Sequence, residues 1–184
     1  QLEIPEPDYH LEIGSGSHGY QTGRMLEGIE DVLLKEQPDW LLIYGDTNST
    51  LAGALAASKL HIPVAHVESG LRSFNRKMPE EINRIVTDRL SDLLFVSEPS
   101  GLENLAKEGY DSAKIFHVGN IMIDSLEMLR EKIEREETLK NLHLNRRKFA
   151  VVTLHRPSNV DAPEMLTKMS EALVEASVMI PLVF

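Results

Sequence analysis

Residues 40–72 read WLLIYGDTNSTLAGALAASKLHIPVAHVESGLR, and the fold follows from that stretch. Residues 40–44 form a continuous apolar run, as expected of a buried parallel strand. Residues 50–60 are rich in Ala and Leu and read as a helix. Val64–Val67, placed just after Pro63, reads as a second strand. Strand, helix and strand in so short a span is a βαβ unit, whose crossover makes the two strands parallel.

The same alternation extends in both directions. Upstream, residues 9–13 are a short extended run. Residues 21–36 carry Met25, Leu26, Ile29, Val32 and Leu33 at the spacing of one helical face. Downstream, helices are expected at 80–90, 101–108, 123–142 and 163–177. Strands are expected at 93–96, 115–118, 149–154 and 180–184. Pro79 suits the first turn of its helix and Gly109 the end of another. The fold class is therefore α/β, with Rossmann-like parallel sheets covered by helices on both faces. A domain junction is expected near Gly119-Asn120, ahead of a highly charged helix. Both ends look cut: the chain starts on Gln1 and stops on Phe184 in what reads as a strand just begun.

Composition narrows the classes of function. Lys and Arg number 19 against 29 Asp and Glu, a net charge of −10. Such a surface repels DNA and anionic membranes, so neither nucleic acid nor membrane is an expected partner. With no cysteine, the chain has no disulfides, no thiolate nucleophile and no zinc–thiolate site. No apolar run is long enough to span a bilayer and no signal peptide is visible. A cytoplasmic location is expected. His10, His18, His61, His117 and His143 show no metal-ligand spacing, so no metal is expected, and no cofactor.

In sheets of this kind ligands bind outside the carboxyl ends of the strands, so the loops there carry the chemistry. Gly45-Asp46-Thr47-Asn48-Ser49-Thr50 puts a carboxylate at a strand end, ahead of small hydroxyl residues able to cap the next helix. Capping by Asn48 or Ser49 accounts for the hydroxyls but leaves Asp46 without a structural task. His66-Val67-Glu68-Ser69-Gly70-Leu71-Arg72 puts a second carboxylate at a strand end, with a plain Glu68–Arg72 ion pair as the simpler account. Pro79-Glu80-Glu81-Ile82-Asn83-Arg84 opens a helix with two acids, where dipole stabilisation is the simpler account. Glu80 stands at i,i+4 spacing from Arg84, whereas Glu81 points about 100° away, so the two acids have different parts. His155-Arg156-Pro157-Ser158-Asn159-Val160-Asp161 follows a strand and offers an anion cradle. No single structural account covers three strand-end acids together with this basic loop. Gly14-Ser15-Gly16-Ser17-His18-Gly19 fits G-x-G-x-x-G, but the acid expected about 20 residues on comes late, at Asp46. A flexible Gly-rich loop is the favoured reading, and a non-catalytic dinucleotide-binding module the alternative of another class.

These loops resemble the non-hydrolysing UDP-N-acetylglucosamine 2-epimerases. The matching segments are Tyr44-Gly45-Asp46-Thr47, residues 62–72, Pro79 to Arg84, Val118-Gly119-Asn120 with Asp124, and Leu154-His155-Arg156 with Asn159-Val160-Asp161. They occur in the family's order over nearly the whole chain. The resemblance implies a GT-B-type architecture of two Rossmann-like domains with the active site between them. Residues 1–120 would be an N-terminal domain lacking its first strand and helix, and residues 121–184 the beginning of a C-terminal one. The implied activity interconverts UDP-GlcNAc and UDP-ManNAc, for cell-surface polysaccharide precursors, by eliminating UDP to a 2-acetamidoglucal and adding it back. By resemblance Asp46, Glu68, Glu80 and His155 are catalytic, and Arg72, Arg84, Arg156 and Asn159 bind substrate. Family members are commonly dimers, which makes a homodimer a partner to test.

Three departures from the family's pattern bear on function. The stretch between Arg72 and Glu80 is shorter than in many bacterial members. Its Ser73-Phe74-Asn75-Arg76-Lys77-Met78 looks more like relatives acting on UDP-2,3-diacetamido-2,3-dideoxyglucuronate, whose carboxylate would meet Arg76 or Lys77. Tyr20 precedes Gln21-Thr22 where bacterial members have an Arg for an allosteric substrate molecule. The family's Gly-Thr-Arg-Pro-Glu and Ser-Gly-Gly loops are not in the sequence, so residues 1–184 alone are expected to bind UDP weakly and turn over nothing. A GT-B glycosyltransferase shares the cleft but not the three acids, and a hydrolysing epimerase would release free ManNAc.

Overall fold

The computed structural model describes residues 4–155 and 157–184, the side chains of residues 157 and 158 excepted. The chain forms two compact units, Gln1–Leu129 and Arg130–Phe184.

In the first unit the order is α1 (His18–Glu36), β1 (Leu41–Tyr44), α2 (Asn48–Lys59), β2 (Val64–Val67), α3 (Pro79–Leu90), β3 (Leu93–Val96), α4 (Pro99–Lys107), a 3-10 turn at Ser112–Lys114, β4 (Ile115–His117) and the greater part of α5 (Ile121–Arg135), whose last residues belong to the second unit. The strands form one parallel sheet in the order β1-β2-β3-β4. Its register aligns their carboxyl ends: Tyr44 lies beside Val67, Val67 beside Phe95, and Phe95 beside Phe116. The residues that follow β1 and β2 therefore leave the sheet side by side.

Local sequence explains the boundaries. Ser17 caps α1, its Oγ accepting from the Tyr20 amide at 3.4 Å. Gln37, at φ 48°, closes that helix through its amide to the Leu33 carbonyl at 2.9 Å, and Pro38 prevents continuation. Pro79 and Pro99 sit in the first turns of α3 and α4, where a missing N–H costs nothing. The alanines of α2 let it lie close to α1, α3 and β1 at once, and Ala52, Ala54, Ala56 and Ala57 are all buried. Leu33, Ile43, Ala54, Ala56, Ala57 and Val64 form the main core, and Leu94, Val96 and Leu105 a second cluster under α4.

Several expected elements are changed. Residues 9–13 are not a strand: the segment is irregular, with Glu12 at φ 53°, and is tied to α1 by the Tyr9 hydroxyl between Lys35 and Glu36. The helix expected over 123–142 runs over Ile121–Arg135 and is followed by α6 (Thr138–Asn141). Covering on both faces does not hold for β1. Ile43 is buried while Leu42 and Tyr44, on the opposite face, are 48% and 53% exposed.

The second unit adds β5 (Ala150–Val151), α7 (Pro157–Val160), α8 (Pro163–Met179) and β6 (Leu182–Val183). Its two strands pair in parallel and are shorter than the runs 149–154 and 180–184 that suggest them. Among the described residues no helix is long and apolar enough to cross a membrane.

Candidate active site

The carboxyl end of β1 turns at Gly45, whose φ of 67° suits a residue without a side chain. Asp46 follows, half-buried. Its Oδ2 accepts from Arg84 Nη2 at 2.6 Å, and its backbone carbonyl accepts from Asn83 Nδ2 at 2.8 Å. Both partners come from the second turn of α3, so this helix fixes the acid at the end of β1 from side chain and main chain together.

The simple capping account of this loop fails. Thr47 is the N-cap of α2 and makes no side-chain cap bond. Thr50 instead donates to the Tyr44 carbonyl at 2.6 Å, and Asn48 turns toward Gln21 and His18 on α1 at 3.0 and 3.2 Å. The hydroxyls and amides brace the loop rather than close the helix.

Glu68 leaves the end of β2 with φ 74°. A non-glycine residue there costs about 1–2 kcal/mol, so its conformation is imposed by its surroundings. Its amide donates to the Phe95 carbonyl at 3.0 Å. Its carboxylate lies back toward the β1 loop, with Oε2 only 3.7 Å from where a Cβ on Gly45 would stand. Asp46 and Glu68 thus flank one turn. Glu80 occupies the first turn of α3 and is half-buried. Neither Glu68 nor Glu80 has a hydrogen-bonded side-chain partner among the described residues, which leaves both carboxylates available to a ligand.

The neighbouring acid behaves differently, as the helical offset requires. Glu81 is 1% exposed. It accepts from the Ser73 amide and hydroxyl at 2.8 and 2.9 Å, from the Phe74 amide at 2.9 Å, and from Arg84 Nη1 at 3.0 Å. Burial alone would raise its pKa. The Ser73, Phe74 and Arg84 hydrogen bonds outweigh that and hold the carboxyl below its ordinary range. Arg84 bridges Glu81 and Asp46, and the expected i,i+4 pairing with Glu80 gives way to i,i+3 pairing with Glu81.

Arg72, expected to bind substrate, is placed elsewhere. Its side chain is 1% exposed. It makes a bidentate pair with Glu108 at 2.8 Å through Nε and Nη2, and Nη1 reaches Asp88 at 2.7 Å and the Leu71 carbonyl at 2.8 Å. The anticipated Glu68–Arg72 pair does not form. Burial would lower the Arg72 pKa, but Glu108 and Asp88 raise it above its ordinary value. This guanidinium is committed to the framework, because Asp88 and Glu108 occupy the donors that a substrate would need. His155 follows β5 in the second unit and is exposed; Asn159 lies half-buried on α7. Arg156 lies outside the described residues.

Sequence reasoning gave no role to His66, Asp88 and Asn83, whose buried side chains bond to Gly45, Gly70 and Asp46. Their signal was a polar side chain in a run otherwise read as core. An open groove of about 600 Å³ lies between the amino ends of α1, α2 and α3, lined in part by His18, Thr22, Asn48, Ile82 and Asn83. Asn83 belongs both to that groove and to the Asp46 bracket. Gly14–Gly19 does not make a dinucleotide turn: no strand precedes it among the described residues, and a Cβ on Gly14 or Gly19 would meet nothing within 4 Å. Among the described residues no group of three or more His, Asp or Glu side chains is arranged to hold a metal ion.

A family model described as UDP-N-acetylglucosamine 2-epimerase matches residues 1–184. A UDP-N-acetylglucosamine 2-epimerase homolog of Methanococcus maripaludis is 52% identical over 179 residues, 96% of this chain and 50% of that protein. A UDP-2,3-diacetamido-2,3-dideoxy-D-glucuronate 2-epimerase of Pseudomonas aeruginosa is 53% identical over 180 residues, 97% of this chain and 50% of that protein. The crystal structure of Methanocaldococcus jannaschii UDP-GlcNAc 2-epimerase in complex with UDP-GlcNAc and UDP superposes with a TM-score of 0.85 at 48% identity, covering 95% of this chain and 48% of that one. The chain spans about half the length of the curated relatives it matches.

Proposed function

Because the chain belongs to the UDP-N-acetylglucosamine 2-epimerase family, we propose that the protein is a non-hydrolysing UDP-sugar 2-epimerase acting on UDP-GlcNAc. The observation that carries this reading is the pair of half-buried carboxylates, Asp46 and Glu68, flanking one turn where two adjacent parallel strands end. Unpartnered Glu80 lies one helical turn from the Arg84 that binds Asp46.

The chemistry follows from the weakness of the acid to be removed. The C2 proton of the sugar is not acidic, so departure of UDP from C1 must be well advanced in the transition state. A carboxylate takes the C2 proton, the C2–H electrons form the C1=C2 bond, and the C1–O bond breaks with its pair leaving on UDP. A 2-acetamidoglucal results. A carboxylic acid then returns a proton to the opposite face of C2 while a UDP oxygen re-forms the bond to C1. Glu68 and Glu80, with no side-chain partner among the described residues, are suited to proton transfer, and Asp46 to balancing positive character at C1. His155, Arg156 and Asn159 are assigned to the diphosphate, and Arg84 to holding Asp46 and meeting the substrate. A cytoplasmic homodimer supplying cell-surface polysaccharide precursors completes the proposal.

The test is incubation of the complete gene product with UDP-GlcNAc in D2O, followed by NMR. The expected result is UDP-ManNAc with deuterium at C2 of both sugars. Free ManNAc with UDP, or no exchange at C2, overturns the reading.

One observation favours a second substrate. Residues 73–77 are exposed, and Arg76 and Lys77 make no ion pair among the described residues. Two uncommitted cations a few residues ahead of Glu80 in the chain suit a sugar that carries its own carboxylate, as in the UDP-2,3-diacetamido-2,3-dideoxy-D-glucuronate of the Pseudomonas relative's name. Side-by-side turnover decides: efficient use of UDP-GlcNAc with no use of the diacetamido-uronate sinks this second reading.

A further inference from the structure

His66 sits in the middle of β2, a strand whose other central residues are Val64 and Ala65, and its side chain is wholly inaccessible. Burial of an imidazole is costly unless both ring nitrogens are satisfied. Here both are, and by acceptors. Nδ1 lies 2.7 Å from Asp88 Oδ1, and Nε2 lies 2.8 Å from the Gly45 carbonyl. A carbonyl cannot donate, so Nε2 carries hydrogen. Asp88 Oδ2 already accepts the Gly70 amide at 3.0 Å and Arg72 at 2.7 Å. Asp88 is ion-paired with Arg72, so its Oδ1 accepts and the remaining ring hydrogen lies on Nδ1.

Asp88 and Glu108 are negative and Arg72 is positive, and with His66 they form one connected group, buried at His66, Asp88 and Arg72 and reaching the surface at Glu108.

We infer that His66 and Asp88 are a positioning pair: a doubly protonated imidazole and a carboxylate that together hold the turns carrying Asp46 and Glu68 at fixed separation. The path is short on both sides. Gly45 accepts from His66 through its carbonyl and donates through its amide to Val67 at 3.1 Å, so the peptide ahead of Asp46 is pinned from two directions. Asp88 holds the Gly70 amide, and Asn104 donates to the Gly70 carbonyl at 2.9 Å, so the turn that follows Glu68 is pinned likewise. Neither His66 nor Asp88 is exposed to substrate. Both act through the acids they place.

This inference rests on the epimerase reading for its kinetic part and on geometry alone for the ring. The first experiment is ring-nitrogen NMR of the complete gene product labelled with 15N-histidine. At pH 7 one ring is expected to show both nitrogens bearing hydrogens that exchange slowly with water. The remaining six histidines among residues 1–184 are exposed and exchange fast. A protected ring with one bare nitrogen, or no protected ring, overturns the inference. The second experiment is steady-state kinetics of Asp88→Asn and His66→Gln, with rates normalised to folded protein. A fall in kcat of about tenfold or more with KM changed less than about threefold is expected, as for displaced catalytic groups. Unchanged kcat in a folded variant overturns the positioning role, since loss of stability alone removes folded sites without slowing those that remain. If neither variant folds, the NMR result on the unaltered protein decides. If the unaltered protein does not epimerise but shows the doubly protonated ring, the functional reading fails and the charged pair stands.

Discussion

Glu80 and Glu81 are adjacent, identical in chemistry and opposite in use. One keeps a half-buried side chain without a hydrogen-bonded partner among the described residues; the other disappears into four hydrogen bonds. The helical offset of about 100° predicts that they differ but not which one turns inward. That depends on where residues 73 and 74 cross over α3, which no local pattern contains. Because the folded pKa of Glu81 is depressed, its contribution to stability is fully present above the unfolded value of about 4.3 and is lost as pH falls through the folded value. Glu81→Gln should cost about 2–3 kcal/mol at pH 7, and the gap from the unaltered protein should narrow below about pH 4. Urea titrations at pH 7 and pH 3 measure both. Asp46 and Glu68 were legible as candidates because a carboxylate at a strand end has no packing purpose, and Glu80 through the resemblance of its helix start. Arg72 was misread for the complementary reason: its partners Asp88 and Glu108 lie far along the chain, and only the fold brings them to it.

At the level of elements, the parallel βαβ order, the strands Val64–Val67 and Leu93–Val96, and the helix starts at Pro79 and Pro99 follow from apolar runs and proline alone. The failures lie where periodicity is short. Residues 9–13 are extended enough to suggest a strand but have no strand to pair with among the described residues, and an unpaired strand has no ladder to hold it. The contact between the turn after β2 and the start of α4 was not legible either, although its glycines were. Gly70 is at φ 79°, and a Cβ there would stand 2.6 Å from the Gly101 carbonyl oxygen. Gly70→Ala should therefore destabilise by at least about 2 kcal/mol, from the disfavoured φ and the backbone collision together. Gly23→Ala, inside α1 with nothing within 4 Å of its Cβ, should stabilise by about 0.5–1 kcal/mol. Denaturant unfolding of the two variants separates a required glycine from a tolerated one.

For the whole molecule, what matters is how the candidate residues are distributed. Asp46, Glu68, Glu80 and Arg84 belong to the first compact unit and His155 and Asn159 to the second. The chain also spans about half the length of its curated relatives. Under the proposed function, residues 1–184 expressed alone should bind UDP weakly and show no turnover, while the complete gene product is expected to epimerise; parallel assays of the two, with UDP titrated calorimetrically, measure the difference. Substantial activity of residues 1–184 would place the whole catalytic apparatus within them.

The depth at which His66 is set has a practical corollary for chemical labelling. Diethyl pyrocarbonate acylates accessible, unprotonated imidazoles. In the folded protein it should modify His10, His18, His61, His117, His143 and His155, all exposed, and leave the wholly inaccessible His66 untouched until the chain is unfolded. Peptide mapping of the labelled protein before and after denaturation would therefore show one late-reacting histidine in this stretch. Inactivation that precedes the late reaction would have to be traced to a ring on the surface, His155 first among them.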